Sequence, residues 1–369
     1  MPANFRYNTP QDRALTTDNF LQAYYNRIFT QSISVRNVLS YRRFNDDYLS
    51  AESIAWALPR QVNRTFFHFD RTRNTVMNQL EGTFRFHTGR VQHRQATFNL
   101  RLDPWRRNFR TDIINPASGA ITPGALTKLN QFAPTIRVGT VYRLVKSLSV
   151  YGSFGTGFTP VLSLPLDNSI LDPERGRQGE VGLRAELLGG RATLTSAWFH
   201  LEKTNVTIAL GQGRFTQAGR QRAQGLETTI EGHVNRRLYL RLTHGLTDAK
   251  FLEFFSGGQN LAGRVPAFAP RHTGSAWAHY QLWRGISLGG GVRALAKSFP
   301  SFFNTVAMPG YAVVDGSVRF NARWANFTVA MQNVGNRQVY YVSSVYNTQV
   351  YPGSPFGMLV TMRLKWPGR

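Results

Sequence analysis

The chain has no cysteine, which excludes a disulfide framework and thiolate ligation and is compatible with an envelope protein. Lysine is nearly as scarce. Only six of the 44 basic residues are Lys, at positions 128, 146, 203, 250, 297 and 365, and the other 38 are Arg. Acidic residues number 20, so the formal net charge is +24. No stretch approaches the roughly 18 apolar residues of a membrane-spanning helix. The mean hydropathy of -0.30 says little about membrane strands, because half of each such strand is polar. A sustained 3.6-residue period is also missing, which leaves little room for amphipathic helices. The opening Met1-Pro-Ala-Asn-Phe-Arg-Tyr-Asn-Thr-Pro10 has neither an apolar h-region nor a cleavage site, so an export signal is not expected within this chain.

The excess of arginine would ordinarily suggest nucleic acid. Here the arginines are spread along the chain, and pairs such as Arg42-Arg43, Arg106-Arg107 and Arg236-Arg237 are the densest clusters. A distributed basic surface suits lipopolysaccharide phosphates or an anionic ligand in a lumen, with mere arginine-rich composition as the alternative. No nucleic-acid partner is expected.

What is present is alternation. Phe356, Met358, Val360, Met362, Leu364 and Trp366 fall on one face of an extended segment, opposite Gly357, Thr361, Arg363 and Lys365. About ten alternating residues ending in an aromatic match a strand crossing a bilayer at a tilt. The pattern recurs: Val181, Leu183, Ala185 and Leu187 oppose Glu180, Gly182, Arg184 and Glu186, and Leu238, Leu240 and Leu242 oppose Arg237, Tyr239 and Arg241. Similar runs lie at 95–102, 226–231 and 325–332. The fold class is therefore all-β, an antiparallel transmembrane β-barrel.

Short turns are expected at 88–90, 145–147, 188–191, 234–236, 283–285 and 323–324. Long connections are expected at about 104–132, 159–176, 249–269, 298–309 and 343–354. Short turns on one rim and long loops on the other are the sidedness of outer-membrane barrels. About fifteen strands follow, in one domain over residues 1–369 without a linker. A soluble β-sandwich is the alternative, with shorter strands and no segregation of loops by length.

From Tyr151 onward the order and spacing of several motifs resemble the C-terminal barrel of a TonB-dependent outer-membrane receptor, in its ferric-siderophore branch. They are Tyr151-Gly-Ser-Phe-Gly-Thr-Gly-Phe158, Asp172-Pro-Glu-Arg-Gly-Arg-Gln-Gly-Glu-Val-Gly182, Asn205 with Gln224-Gly-Leu-Glu227, and Pro270-Arg271 with Trp277 and Tyr280. Pro309-Gly-Tyr311 with Asp315, Gln332-Asn-Val334 with Tyr340-Tyr341, and Pro352-Gly-Ser-Pro355 complete the series. The resemblance implies uptake of a ferric siderophore across the cell outer membrane, energised through the TonB complex in the complete protein. Outer-membrane lipid and lipopolysaccharide are the implied surroundings. A family barrel has 22 strands, a size associated with a plugged lumen. The resemblance thus implies a partial barrel, truncated at the N-terminus and without the plug domain, with two further strands missing inside 104–132. The other function considered is a passive porin-like outer-membrane channel; a soluble basic β-protein is a third.

No enzymatic pattern holds, and no cofactor is expected. Gly285-Ile-Ser-Leu-Gly289 matches a hydrolase elbow in letters, but Ser287 sits in an alternating strand and not in a strand-turn-helix. The eight histidines lack metal-ligand spacing, and Asp46-Asp47 has no partner suited to acid–base work. For the siderophore that the resemblance implies, position in the last long loops nominates Tyr346, Tyr351, Phe299, Phe302 and Phe303, with membrane-girdle aromatics as the plainer reading.

Overall fold

A computed structural model of the protein describes residues 13–57, 61–88, 91–114, 121–124, 127–160, 171–211, 214–256, 258–342 and 350–365. Fifteen long strands, all antiparallel to their neighbours where the register is described, pair in chain order. They are β1 (Arg13–Ile28), β2 (Ile33–Ala57), β3 (Gln61–Thr88), β4 (Val91–Ile114), β5 (Thr127–Val145), β6 (Leu148–Thr159), β7 (Glu174–Leu187) and β8 (Ala192–Gly211). Then come β9 (Arg214–His233), β10 (Leu238–Glu253), β11 (His272–Trp283), β12 (Ile286–Leu295), β13 (Tyr311–Asn321), β14 (Ala325–Gln332) and β15 (Gly357–Leu364). The all-β expectation and the strand number are met among the described residues.

The chain forms two compact units, residues 1–84 with 97–136, and residues 85–96 with 137–369. In the first, β2 pairs with β1 from Arg13↔Leu49 to Ile28↔Ser34 and with β3 from Ile33↔Phe84 onward. The β1–β2 turn is closed by Thr30, whose hydroxyl accepts the backbone N–H groups of Ser32 and Ile33 at 3.1 Å. One face carries exposed Leu21, Tyr25, Leu39, Tyr41, Val76 and Leu80. The other carries Arg42, which grips Asp18 through two guanidinium nitrogens at 2.9 and 2.6 Å. Phe44 lies on that same face, with the Arg42 and Arg73 guanidinium carbons 5.8 and 5.3 Å from its ring centre.

The second unit contains the C-terminal part of β5 and β6 to β15. Its register aligns matching faces across strands. Val181, Trp198, Leu226 and Leu246 form one rung, and Ala185, Leu194, Ile230, Leu242, Ala276, Val292 and Val314 another. This face is apolar yet exposed; Val181 is 59% and Trp198 48% accessible. So broad an apolar surface has no place in water and fits a hydrocarbon surround. The opposite face carries Glu180, Arg184, Glu227, Glu231, Arg241, Arg293 and Asp315. It includes a 3.5 Å Arg241–Glu231 pair and a 2.6 Å Arg293–Asp315 pair.

Turn chemistry explains the tight rim. Leu188, Gly189 and Gly190 all take positive φ, from 53° to 86°, a region that glycine enters without steric cost. The Asn235 side chain accepts the N–H groups of Arg237 and Leu238 at 2.8 and 2.9 Å, closing the β9–β10 turn.

Two expected connections are shorter than the sequence suggested. Strand β4 continues to Ile114 and β5 begins at Thr127, where a long connection over 104–132 was expected. Ile121–Thr122 pairs back on β4, and β4 and β5 are neighbours in the sheet. Strand β10 likewise continues to Glu253, followed by a small hairpin, Phe255–Ser256 with Gln259–Asn260. Backbone pairing carries on beyond the point where alternating hydrophobicity stops, because ladder hydrogen bonds need no apolar face once strands project into water.

A compact apolar cluster sits at the loop end of this unit. Phe251, Phe254, Leu261, Phe302 and Ile208 are buried together, with Val206 against them. Phe254 contacts Phe251 and Phe302 at ring separations of 4.8 and 5.2 Å. The cluster ties the 254–271 connection to the 296–310 connection.

Candidate functional site

On the polar face of the second unit, β5 to β8 enclose a cavity of about 360 Å3 at their loop ends. Two rungs build it. The first aligns Arg137, Gly155, Gln178 and Leu201; the second aligns Gly157, Gly176 and Lys203. Ser153 and Thr159 extend the β6 wall, and Glu174 lies opposite Thr159. Strand alternation sends all these side chains to one face, while the glycines leave a gap between Arg137 and Lys203.

That gap is not imposed by packing. A Cβ built on Gly157 meets nothing within 4 Å, and one on Gly176 meets only ordinary contacts from 3.8 Å outward. Gly182, two rungs away, is the opposite case. A Cβ there would fall 2.6 Å from the Tyr151 ring and 2.7 Å from the Ser196 carbonyl oxygen. Tyr151 is paired directly with Gly182 and lies flat across it, which accounts for both residues in the sequence motifs.

The electrostatics of the cavity are uneven. Arg137 and Lys203 have no ion-pair partner among the described residues. The Glu174 carboxylate is engaged by the backbone N–H of Thr207 at 2.8 Å. Arg175 and Arg177 also line the cavity, from residues that alternate to the other face, where Arg177 is held by Glu202 at 2.5 Å. Two cations with Ser, Thr and Gln donors around an open floor can hold an anionic or carbonyl-rich ligand of moderate size.

The residues nominated from the sequence lie elsewhere. Phe302 is 5% exposed inside the loop cluster, tilted against Phe303 with ring centres 4.5 Å apart, where it packs the loops together. Phe303 is partly exposed at that cluster's edge, and the Phe299 carbonyl accepts the N–H of Phe268 at 3.1 Å. Tyr351 is exposed on a short hairpin, Tyr340–Val342 with Val350–Pro352. Tyr346 lies outside the described residues. None of the four described aromatics lines the cavity. Arg137, Gln178 and Lys203 were not singled out from the sequence. The available signal was Gly155 and Gly157 alternating on one strand beside Gly176 on the next, a local loss of side chains on one face.

Other chemistry is accounted for. Ser287 is buried in β12 and donates to the Gln281 side-chain oxygen at 3.2 Å, with no nucleophile elbow around it. His244 and His272 stack with their nearest ring nitrogens 3.2 Å apart. Among the described residues no third ligand joins them, and no cluster suits a metal. No described helix is long and apolar enough to cross a membrane, which says nothing of crossing by strands.

Comparison with known proteins agrees with this architecture. The family described as TonB dependent receptor-like, beta-barrel, matches residues 2–336. The metal-pseudopaline receptor CntO of Pseudomonas aeruginosa is 28% identical over 354 residues, covering 89% of this chain and 48% of that protein. The ferrichrome outer membrane transporter/phage receptor of Escherichia coli is 29% identical over 225 residues, covering 58% of this chain and 29% of that protein. The chain thus spans about half or less of the curated relatives it matches. In structure it is similar to the ferric-catecholate import receptor Fiu of E. coli in its closed form. There the TM-score is 0.68 at 17% identity, over 96% of this chain and 65% of that one. These relatives are receptors and transporters, not enzymes. With an antiparallel sheet that is apolar on one face and charged on the other, and a family match over most of its length, the chain belongs to the TonB-dependent receptor-like β-barrel family.

Proposed function

We propose that this chain is the barrel portion of an outer-membrane receptor that takes up a ferric siderophore, energised through the TonB complex in the complete protein. The observation that carries the reading is the cavity on the charged inner face at the loop end, where a ligand arriving from outside would first be held. The relatives named for metal-chelate uptake point the same way.

Lipid and lipopolysaccharide are the proposed surroundings of the outer face. Beyond Trp198 that face turns polar: Arg177 pairs with Glu202, and Arg222 and Lys250 meet Asp248 at 2.8 and 3.3 Å. An aromatic followed by a charged band is the usual boundary between hydrocarbon and headgroups.

The test is reconstitution of the full chain in lipid vesicles, with binding of iron(III) chelates and ion conductance measured together. Saturable chelate binding supports the receptor reading. Steady conductance without chelate binding would instead favour a passive porin-like channel.

A further inference from the structure

We propose that the short-turn rim of the second unit binds the phosphate groups of anionic phospholipids. This rests on the membrane reading of the apolar face and adds the charge class of the lipid at one end of it. From β5 onward every short turn carries a basic residue and none carries an acidic one: Lys146, Arg191, Arg236 with Arg237, Arg284 and Arg323. Antiparallel pairing in chain order brings these turns to one end of the sheet. All of these residues are exposed, and none is in an ion pair among the described residues. The acids nearest the rim, Glu186 and Glu231, stand on the charged face, and Glu231 already meets Arg241.

The rim also lies at headgroup depth. A register shift brings Trp283 opposite Ile286, and Phe320, Phe327 and Met362 continue that rung of the apolar face. Trp324 meets Phe327 edge-on with ring centres 5.5 Å apart. Trp283 and Trp324 are 73% and 59% exposed. About ten residues separate this rung from the one that holds Trp198. At ~3.4 Å each and a tilt near ~40° they rise roughly 26 Å, close to the apolar band of a membrane barrel. The turn cations adjoin the tryptophans, where lipid phosphates lie. At the other end of this face acids stand among the cations, Glu202 beside Arg177 and Asp248 beside Arg222 and Lys250. On the rim, successive turns recur about every 10 Å, two strand spacings, which is about one screening length. Their fields therefore add, and an anionic headgroup is favoured over a zwitterionic one.

The experiment reconstitutes the full chain in phosphatidylcholine vesicles that contain a minor fraction of brominated lipid, either phosphatidylglycerol or phosphatidylcholine. Quenching of tryptophan emission reports the lipid at the rim, and heat-modifiable gel mobility reports the fold. The expected result is an apparent affinity about fivefold higher for the brominated phosphatidylglycerol, falling to parity in about 1 M salt. Replacing Arg236, Arg237, Arg284 and Arg323 together by Gln should abolish the preference, and replacing the same four by Lys should keep it. Arg284→Gln alone should lower it in part, which serves if the fourfold variant folds poorly. Equal quenching by both lipids, or a preference that survives loss of the four cations, would overturn the headgroup assignment and leave the membrane reading intact. A chain that inserts into neither vesicle would overturn both.

Discussion

Asn304 and Val265 exchange two hydrogen bonds across two connections: the Asn304 side-chain oxygen accepts the Val265 N–H at 2.7 Å, and its amide donates to the Val265 carbonyl at 2.9 Å. Asn304 holds a positive φ of 56° to do so. Replacing it with Ala removes both bonds, at roughly 1 kcal/mol each, and makes a left-handed backbone costlier. The variant should expose the 258–268 segment to limited proteolysis and faster hydrogen exchange. Protection of β6 to β9 should stay unchanged.

Phe302 belongs to the apolar cluster of Phe251, Phe254, Leu261 and Ile208. Truncation to Ala should cost about 3–5 kcal/mol of local stability, read as loss of protection in both connections. Phe302→Leu should restore most of it, because volume matters here more than the ring. If Phe302→Ala weakened chelate binding with no change in protection, a direct ligand role would replace the supporting one.

Asp315 joins three elements. It pairs with Arg293 at 2.6 and 3.2 Å and accepts the Asn333 N–H at 3.0 Å, while the Asn333 amide donates to the Arg337 and Ser354 carbonyls. Asp315→Ala should lower the midpoint of heat-induced gel conversion, with a cost of about 1–3 kcal/mol. Most of that comes from the turn around Asn333, since Arg293 is half exposed and its ion pair is worth less. Arg293→Gln should therefore be the milder change.

The two kinds of glycine predict opposite outcomes. Gly182→Val drives a side chain into the Tyr151 ring and the Ser196 carbonyl, and should lower the yield of folded protein. Gly157→Val should leave folding and the conversion midpoint unchanged while narrowing the slot.

Face assignment is testable by paired substitutions on the two faces of β9. Leu226→Arg on the outer face should cost about 2–4 kcal/mol of stability in vesicles. Thr229→Arg on the inner face should cost little. Equal penalties would contradict the placement of hydrocarbon against the Val181–Trp198–Leu226 face.

The strand pattern was legible because alternation leaves a two-residue period in the letters, as in Val181 to Leu187. The motif residues Asp315 and Asn333 were legible as a spacing but not as a joint, since their hydrogen bonds cross strands that only pairing brings together. The ends of β4 and β10 were lost because strands that leave the hydrocarbon lose their amphipathic signature while keeping their ladders. The cavity was lost for a different reason. The slot is defined by glycines and by two ordinary cations on nonadjacent strands, which carry no aromatic signature of the kind that Phe302 offers.

The slot's floor has a consequence for how such a receptor can change. Because a Cβ on Gly157 would meet nothing within 4 Å, and one on Gly176 only ordinary contacts, side chains can be added there one at a time without repairing the sheet. The slot's shape can therefore drift by single mutations, while residues such as Gly182 hold the scaffold constant.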